Sequence, residues 1–251
     1  TGAPSTLNII NSTVSNNTSP STVAQGGGVT NILNSTFNAT VNIDRSTISA
    51  NTLSTFGTSL GGGLLNAGSS GGGRAFMNVK NSTISGNSAY DGGGIYCGGG
   101  NETCTVDFCT IAGNTASDSS SDGGGGMFQD LVMGGATFVS NSISANNVSG
   151  VNIDANEWVT SRDYNHLENP HFAFVPAAHD VIGSDPALGT LANNGGPTLT
   201  HALLWGSEAI GKGSNPAPVL LLDQRGKART VSTIDIGAFE LQPAAKIAKI
   251  E

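Results

Sequence analysis

An all-β solenoid is the fold this sequence predicts. Three observations point to it: a unit that recurs about every thirty residues, strands too short to bury a core alone, and glycine runs at a fixed place in each unit. The unit is clearest in Lys80-Asn81-Ser82-Thr83-Ile84-Ser85-Gly86-Asn87-Ser88, followed by Asp91-Gly92-Gly93-Gly94-Ile95-Tyr96. Related copies begin at Asn11, Arg45, Cys109 and Asn141. Aligning Thr13, Thr47, Thr83, Thr110 and Ser142 gives intervals of 34, 36, 27 and 32 residues. Periods of this size mean stacked coils, here a right-handed parallel β-helix with three short strands per coil and an irregular C-terminal cap. Residues 1–160 are assigned to the repeats and 161–251 to the capping segment, packed on the solenoid.

Each coil is read in order. The first strand alternates small or apolar residues with Asn or Thr: Leu7-Asn8-Ile9, Val41-Asn42-Ile43, Met77-Asn78-Val79, Cys104-Thr105-Val106 and Ala136-Thr137-Phe138. Ile9 and Val14 are both apolar yet five positions apart, so a corner must separate them. That corner places Ser12 and Val14 inward and Thr13 and Ser15 outward. Its first residues, Ile10, Asp44, Lys80, Asp107 and Val139, then stack as a partly charged exposed row.

A second corner holds Asn17, Asn51, Asn87, Asn114 and Asn146, always four residues beyond the aligned Thr or Ser. Asparagine tolerates left-handed backbone and its amide bonds both corner and neighbouring coil, so these five predict a structural asparagine ladder. Loops of variable length follow, ending in glycine runs at residues 26–28, 61–63, 92–94 and 123–126, and each run opens another strand. The runs precede strands and lack a following Lys-Ser/Thr, which rules out a phosphate-binding loop.

Composition agrees. Thirty-six of 251 residues are glycine and only 11% are charged, which suits tight corners. A net charge of −8 argues against nucleic acid or an anionic membrane surface as partner. No apolar run is long enough to span a membrane, and no signal peptide is present. The chain begins at Thr1 without Met, so it reads as a processed or excised piece of something larger. Cys97 and Cys104 flank a short loop and predict a local disulfide in an oxidising compartment, while Cys109 reads as a small core residue. No Cys/His spacing suits a metal, and no cofactor is expected.

Beyond Val148 the repeat fades into a series of distinct motifs: Asp185-Pro186-Ala187-Leu188-Gly189, Asn193-Asn194-Gly195-Gly196-Pro197-Thr198-Leu199-Thr200-His201-Ala202-Leu203, Gly206-Ser207-Glu208-Ala209-Ile210, Asp223-Gln224-Arg225-Gly226 and Asp235-Ile236-Gly237-Ala238-Phe239-Glu240. This series resembles the C-terminal portion of bacterial surface proteins with a choice-of-anchor Q domain, and the upstream units resemble the parallel β-helix repeats that accompany it. The resemblance implies a secreted or surface-attached bacterial β-helix and assigns no activity. Physically the segment reads as an end cap, with Asp223, Arg225, Asp235 and Glu240 as a buried charge network.

Four functions are weighed. The favoured one is an extracellular, non-catalytic surface module for adhesion, glycan binding or structural assembly, with Phe56, Tyr90 and Trp158 as stacking residues. Its partners are surface glycans or polysaccharide. A polysaccharide lyase or glycoside hydrolase acting on acidic glycans is the alternative, with Asp91 and Asp122 as the carboxylate pair and Lys80 as a further candidate. Self-assembly into filaments through an uncapped first coil and the Lys246-Ile247-Ala248-Lys249-Ile250 tail is the third. The fourth is an ice-binding face made of the outward rows that contain Thr47, Thr83 and Thr110, with their Ser partners.

Overall fold

The computed structural model describes residues 3–33, 36–54, 56–68, 72–118, 124–130, 134–150, 153–214, 220–229 and 233–243. Strands are numbered along the chain. The first sheet stacks β1 (Ser5–Ile10), β5 (Ala39–Asp44), β9 (Ala75–Lys80), β13 (Glu102–Asp107), β17 (Ala136–Ser140) and β19 (Val159–Ser161), all parallel. The second stacks β2 (Thr13–Ser15), β6 (Thr47–Ser49), β10 (Thr83–Ser85), β14 (Thr110–Ala112), β18 (Ile143–Ala145), β20 (His166–Leu167) and β21 (Val181–Ile182). After the second corner comes a two-residue strand: β3 (Thr18–Ser19), β7 (Thr52–Leu53), β11 (Ser88–Ala89) and β15 (Thr115–Ala116). The glycine runs open the fourth sheet, β4 (Val29–Ile32), β8 (Leu64–Ala67), β12 (Ile95–Gly98) and β16 (Met127–Gln129). The chain is therefore a parallel β-helix, and the two-residue strands join the three longer strands expected per coil.

Alternation fills the interior. Val41, Ile43, Met77, Val79, Cys104 and Val106 from the first sheet meet Ile48, Ile84 and Ile111 from the second and Leu64, Ile95 and Met127 from the fourth. Burying each larger aliphatic side chain contributes about 1.5–3 kcal/mol, and the stacking of identical positions lets one coil template the next.

The corners use left-handed backbone. Asn11, Arg45, Asn81, Phe108 and Asn141 sit at φ of 48–52° between the first two sheets. Asn16, Ala50, Gly86, Gly113 and Asn146 do so, at φ of 54–66°, before the inner ladder. Asn146 thus occupies the strained corner, and Asn147 takes the ladder position expected for it. The whole fifth copy is displaced by one residue from the sequence alignment: Ile143, not Ser142, pairs with Thr110, and Ser140, not Val139, pairs with Asp107. The reason is physical. The Ser142 hydroxyl faces inward and accepts the Cys109 N–H at 3.0 Å, the place held by Ser46 and Ser82 in earlier coils.

The amide ladder runs through the molecule. Nδ2 of Asn17 donates to Oδ1 of Asn51 at 2.8 Å, and Asn51, Asn87 and Asn114 each donate to the next amide at 2.9 Å. Asn147 then donates to the Asp154 carboxylate at 2.7 Å, which ends the series. A second inner series closes in the same way, with Ser142 N–H donating to Asn165 and Asn165 N–H to Asp180.

Glycine is required where coils approach. A Cβ on Gly94 would lie 2.5 Å from the Gly126 carbonyl oxygen and 3.1 Å from Asn114 Nδ2. The glycine runs therefore make room for the ladder. In the fourth sheet Asn31 and Asn66 form a shorter amide pair at 2.8 Å, and Cys97 occupies the next position in that row. Cys97 is there bonded to Cys104 of β13 as a disulfide.

The C-terminal segment was expected at the end of the solenoid, beginning at 161. Instead β20 and β21 extend the second sheet past that boundary. The described residues from about Leu188 onward lie along the flank, over the outer face of β6, β10, β14 and β18. Thr47 donates to the Leu199 carbonyl at 2.6 Å, Ala238 N–H donates to Thr110 Oγ1 at 3.1 Å, and Gly237 N–H donates to the Asn141 carbonyl at 2.8 Å. Ile143 packs with Leu203, Ala209, Ile236 and Phe239 in a second apolar cluster. The segment is a strap rather than a lid.

Its charges pair as buried groups must. Arg225 contacts Asp223 at 2.7 Å, and Arg229, which sequence reasoning passed over, contacts Glu240 at 3.2 Å. Arg229 also donates to Asn81 Oδ1 and the Gly237 carbonyl, tying strap to solenoid.

Candidate functional site

From the second coil onward, the Thr and Ser rows expected on a solvated face are covered by the strap, whereas Thr13 in the first coil is exposed. Thr47 and Thr83 are 0% exposed and Thr110 1%. An outward-pointing strand residue is solvent-exposed only if nothing packs on the sheet, and here hydrogen bonds to the strap consume the hydroxyls. These residues hold the strap and are unavailable as an ice-binding or ligand-binding array.

The three expected stacking residues are scattered. Phe56 is 75% exposed in the loop after β7, and Trp158 lies just before β19 at 47%. Tyr90 is half-buried after β11, and its hydroxyl donates to Asp118 at 3.3 Å. None of them lines the cavities described below.

Of the expected carboxylate pair, Asp122 lies outside the described residues. Asp91 instead bonds through its side chain to Asp118. Burial, and then the Asp118 charge, push the Asp91 carboxyl up to about 7. Loss of hydration is the main cause of that shift, and the neighbouring carboxylate adds to it. Lys80 lies at the end of β9 on the outer face of the first sheet, where its neighbours across the ladder are Asp44 and Asp107.

Two cavities stand out. One, of about 590 Å³, is lined by Val181, Trp205, Ser207, Glu208, Ile210 and Lys212, among others. Trp205 is 96% exposed. A tight turn with Gly206 at φ +88° ejects it, while Leu203 before it and Ala209 after it anchor the turn in the apolar cluster under the strap. Glu208 accepts the Ser184 hydroxyl at 2.5 Å, which fixes one carboxylate oxygen beside the indole. No repeat or motif singled out Trp205. The available signal was an aromatic residue between a Leu pair, of which Leu203 is buried, and a turn glycine.

The second cavity, of about 460 Å³, lies at the corner between the first and second sheets. Lys80, Asp107, Ser140, Arg162, Asp163 and Tyr164 contribute to its wall. The Arg162 guanidinium stacks on Phe138 at 3.7 Å from the ring centroid. Tyr164 stacks on His179 at 4.6 Å, and Asp163 bonds His179 Nδ1 at 2.6 Å. Burial raises the Asp107 carboxyl above its usual range, against the Ser140 hydroxyl and the Lys80 charge.

No group of three or more metal-ligating side chains occurs among the described residues. The fold and these two cavities define the molecule as a parallel β-helix carrying a C-terminal strap and concave sites at the strap's margins. No family model, curated protein or solved structure matches the chain.

Proposed function

We propose that this chain is a secreted, surface-displayed β-helix module that binds carbohydrate at the Trp205 cavity without transforming it. The observation that carries this reading is the near-complete exposure of Trp205 beside a concavity. An indole buried on folding would contribute 150–250 Å² of contact, so leaving it in water is a cost best offset by a ligand that stacks on it. A sugar ring offers an apolar C–H face to the indole and hydroxyls to Glu208, Ser207 and Lys212. The Cys97–Cys104 disulfide supports an oxidising compartment, and the C-terminal motifs support a bacterial surface protein of the choice-of-anchor Q kind.

A glycan-array screen tests the reading, with the same preparation assayed for newly formed reducing or unsaturated sugar ends. Binding without product, lost in Trp205→Ala, is expected. Binding that survives this substitution, or the absence of any glycan ligand, overturns it.

A second reading is favoured by one observation, the Asp91 carboxyl raised to about 7 beside Asp118. A carboxyl that holds its proton near neutral pH can serve as the general acid of glycoside hydrolysis. Product release abolished by Asp91→Asn would select this reading over the first.

A further inference from the structure

The corner cavity differs from the Trp205 cavity in its charge. The protein is strongly acidic, with a net charge of −8, yet two cations face one concavity there. Among the described residues, neither the Lys80 ammonium nor the Arg162 guanidinium forms an ion pair or hydrogen bond to a side chain. The other exposed-face cation on this corner, Arg45, is satisfied by Asp44 at 3.2 Å. The Phe138 ring packs under the Arg162 guanidinium, 3.7 Å from its centroid, which restricts the group before any ligand arrives.

The acids in the same wall do not neutralise these cations fully. Asp163 is engaged by the His179 backbone N–H at 2.7 Å and by its imidazole. Asp107 accepts the Ser140 hydroxyl at 3.0 Å. What remains is a concavity with two positive groups, Lys80 beside Asp107 and Arg162 without a side-chain ion pair, together with several polar groups able to exchange hydrogen bonds and the Tyr164 ring. The volume is that of a small-ligand site.

We propose that this corner cavity is a second binding site, specific for an acidic sugar residue whose anionic group is held between Lys80 and Arg162. The sugar's hydroxyls bond Asp107, Ser140 and Asn141. Uronate carboxylates and sugar sulfates share the required chemistry: a compact anion on a hydroxyl-rich ring. A planar guanidinium suits either one. The site does not depend on the Trp205 cavity, whose lining residues are entirely different.

Calorimetric titration tests the proposal with three probes: trigalacturonate, a sulfated disaccharide, and maltotriose as the neutral control. At least one anionic probe is expected to bind, and which one binds separates carboxylate from sulfate. Lys80→Met and Arg162→Gln should each weaken it about tenfold, the scale of one charge-assisted hydrogen bond. Arg162→Lys should recover part of the loss, and Trp205→Ala should leave anion binding unchanged. Thermal unfolding of each variant separates misfolding from lost binding. Failure of both anionic probes, equal binding of maltotriose, or anion binding that ignores Lys80 and Arg162 while requiring Trp205, overturns the proposal.

Discussion

Thr83 donates its hydroxyl proton to the side-chain carbonyl of Gln224 across 2.6 Å, joining two residues 141 positions apart in the chain. Both are 0% exposed. The Gln224 amide nitrogen lies within 3.2 Å of Ser46 O, Thr47 Oγ1, Thr198 Oγ1 and Leu199 O, so one side chain spans two coils and the strap. Gln224→Leu leaves the Thr83 hydroxyl and its neighbours unpaired, and a loss of about 1–3 kcal/mol is expected. Limited proteolysis should then cut the strap earlier than the coils. Cleavage kinetics identical to wild type would show that the strap is held by its apolar cluster alone.

The inner ladder makes a paired prediction. Asn147→Ala removes the bond to Asp154 and the bond to the Ile111 carbonyl, and should cost about 2–4 kcal/mol in denaturant unfolding. Asn146→Gly, one residue away, replaces an exposed residue at φ 56° and should be neutral or mildly stabilising. Equal losses at both positions would contradict the ladder register.

Gly94→Ala tests the packing between coils. The added methyl meets backbone, the Gly126 carbonyl oxygen, at 2.5 Å, so the coil spacing itself must open. About 2 kcal/mol of destabilisation is expected. Gly113→Ala is the contrast, because a Cβ there meets nothing within 4 Å and only the φ of +66° opposes it.

Stability should vary with pH in two opposing windows. Burial pushes Asp154 up to about 7, against N–H groups donated by Asn147 and Asn169. An acid held protonated in the folded state costs stability as pH rises from its ordinary value of 3.8 towards 7, where the unfolded chain ionises first. Burial lowers His166 and His201, so these imidazoles resist protonation that the unfolded chain accepts below about 6.5, and stability falls on the acid side. His201 Nδ1 donates to the Gly189 carbonyl at 2.7 Å, leaving Nε2 to accept from Ser85 at 2.9 Å, a neutral arrangement. Asp154→Asn should remove part of the decline between pH 4 and 7 while leaving the acid-side loss intact. Unfolding midpoints measured across that range check the sign.

The coils were legible because their signals are local. Alternation in Val41-Asn42-Ile43, the Asn51 and Asn87 corners and the glycine runs each report a backbone constraint within a few residues. The fifth coil misled because Ser142 and Asn146 have the same residue types as the positions they were aligned to. Only the hydroxyl of Ser142 facing Cys109 fixes the register. The burial of Thr47 and Thr83 was illegible, since the side chains and carbonyls they bond lie 141–177 residues downstream. A Thr that bonds a strap and a Thr that bonds water look alike in sequence. Trp205 was missed for the converse reason, because its exposure depends on a turn anchored by residues on either side.

The ladder's direction has an electrical consequence. In the amide-to-amide links each of Asn17, Asn51, Asn87 and Asn114 donates one N–H to the next Oδ1 on the C-terminal side, so these links all run one way along the solenoid axis. The positive end of that column falls at Asp154, whose two carboxyl oxygens are occupied by N–H groups, Oδ1 by Asn147 and Oδ2 by Asn169. The column therefore has a polarity and a terminus, like a wire earthed at one end. Any further coil that continued this column would have to join at the Asn17 side.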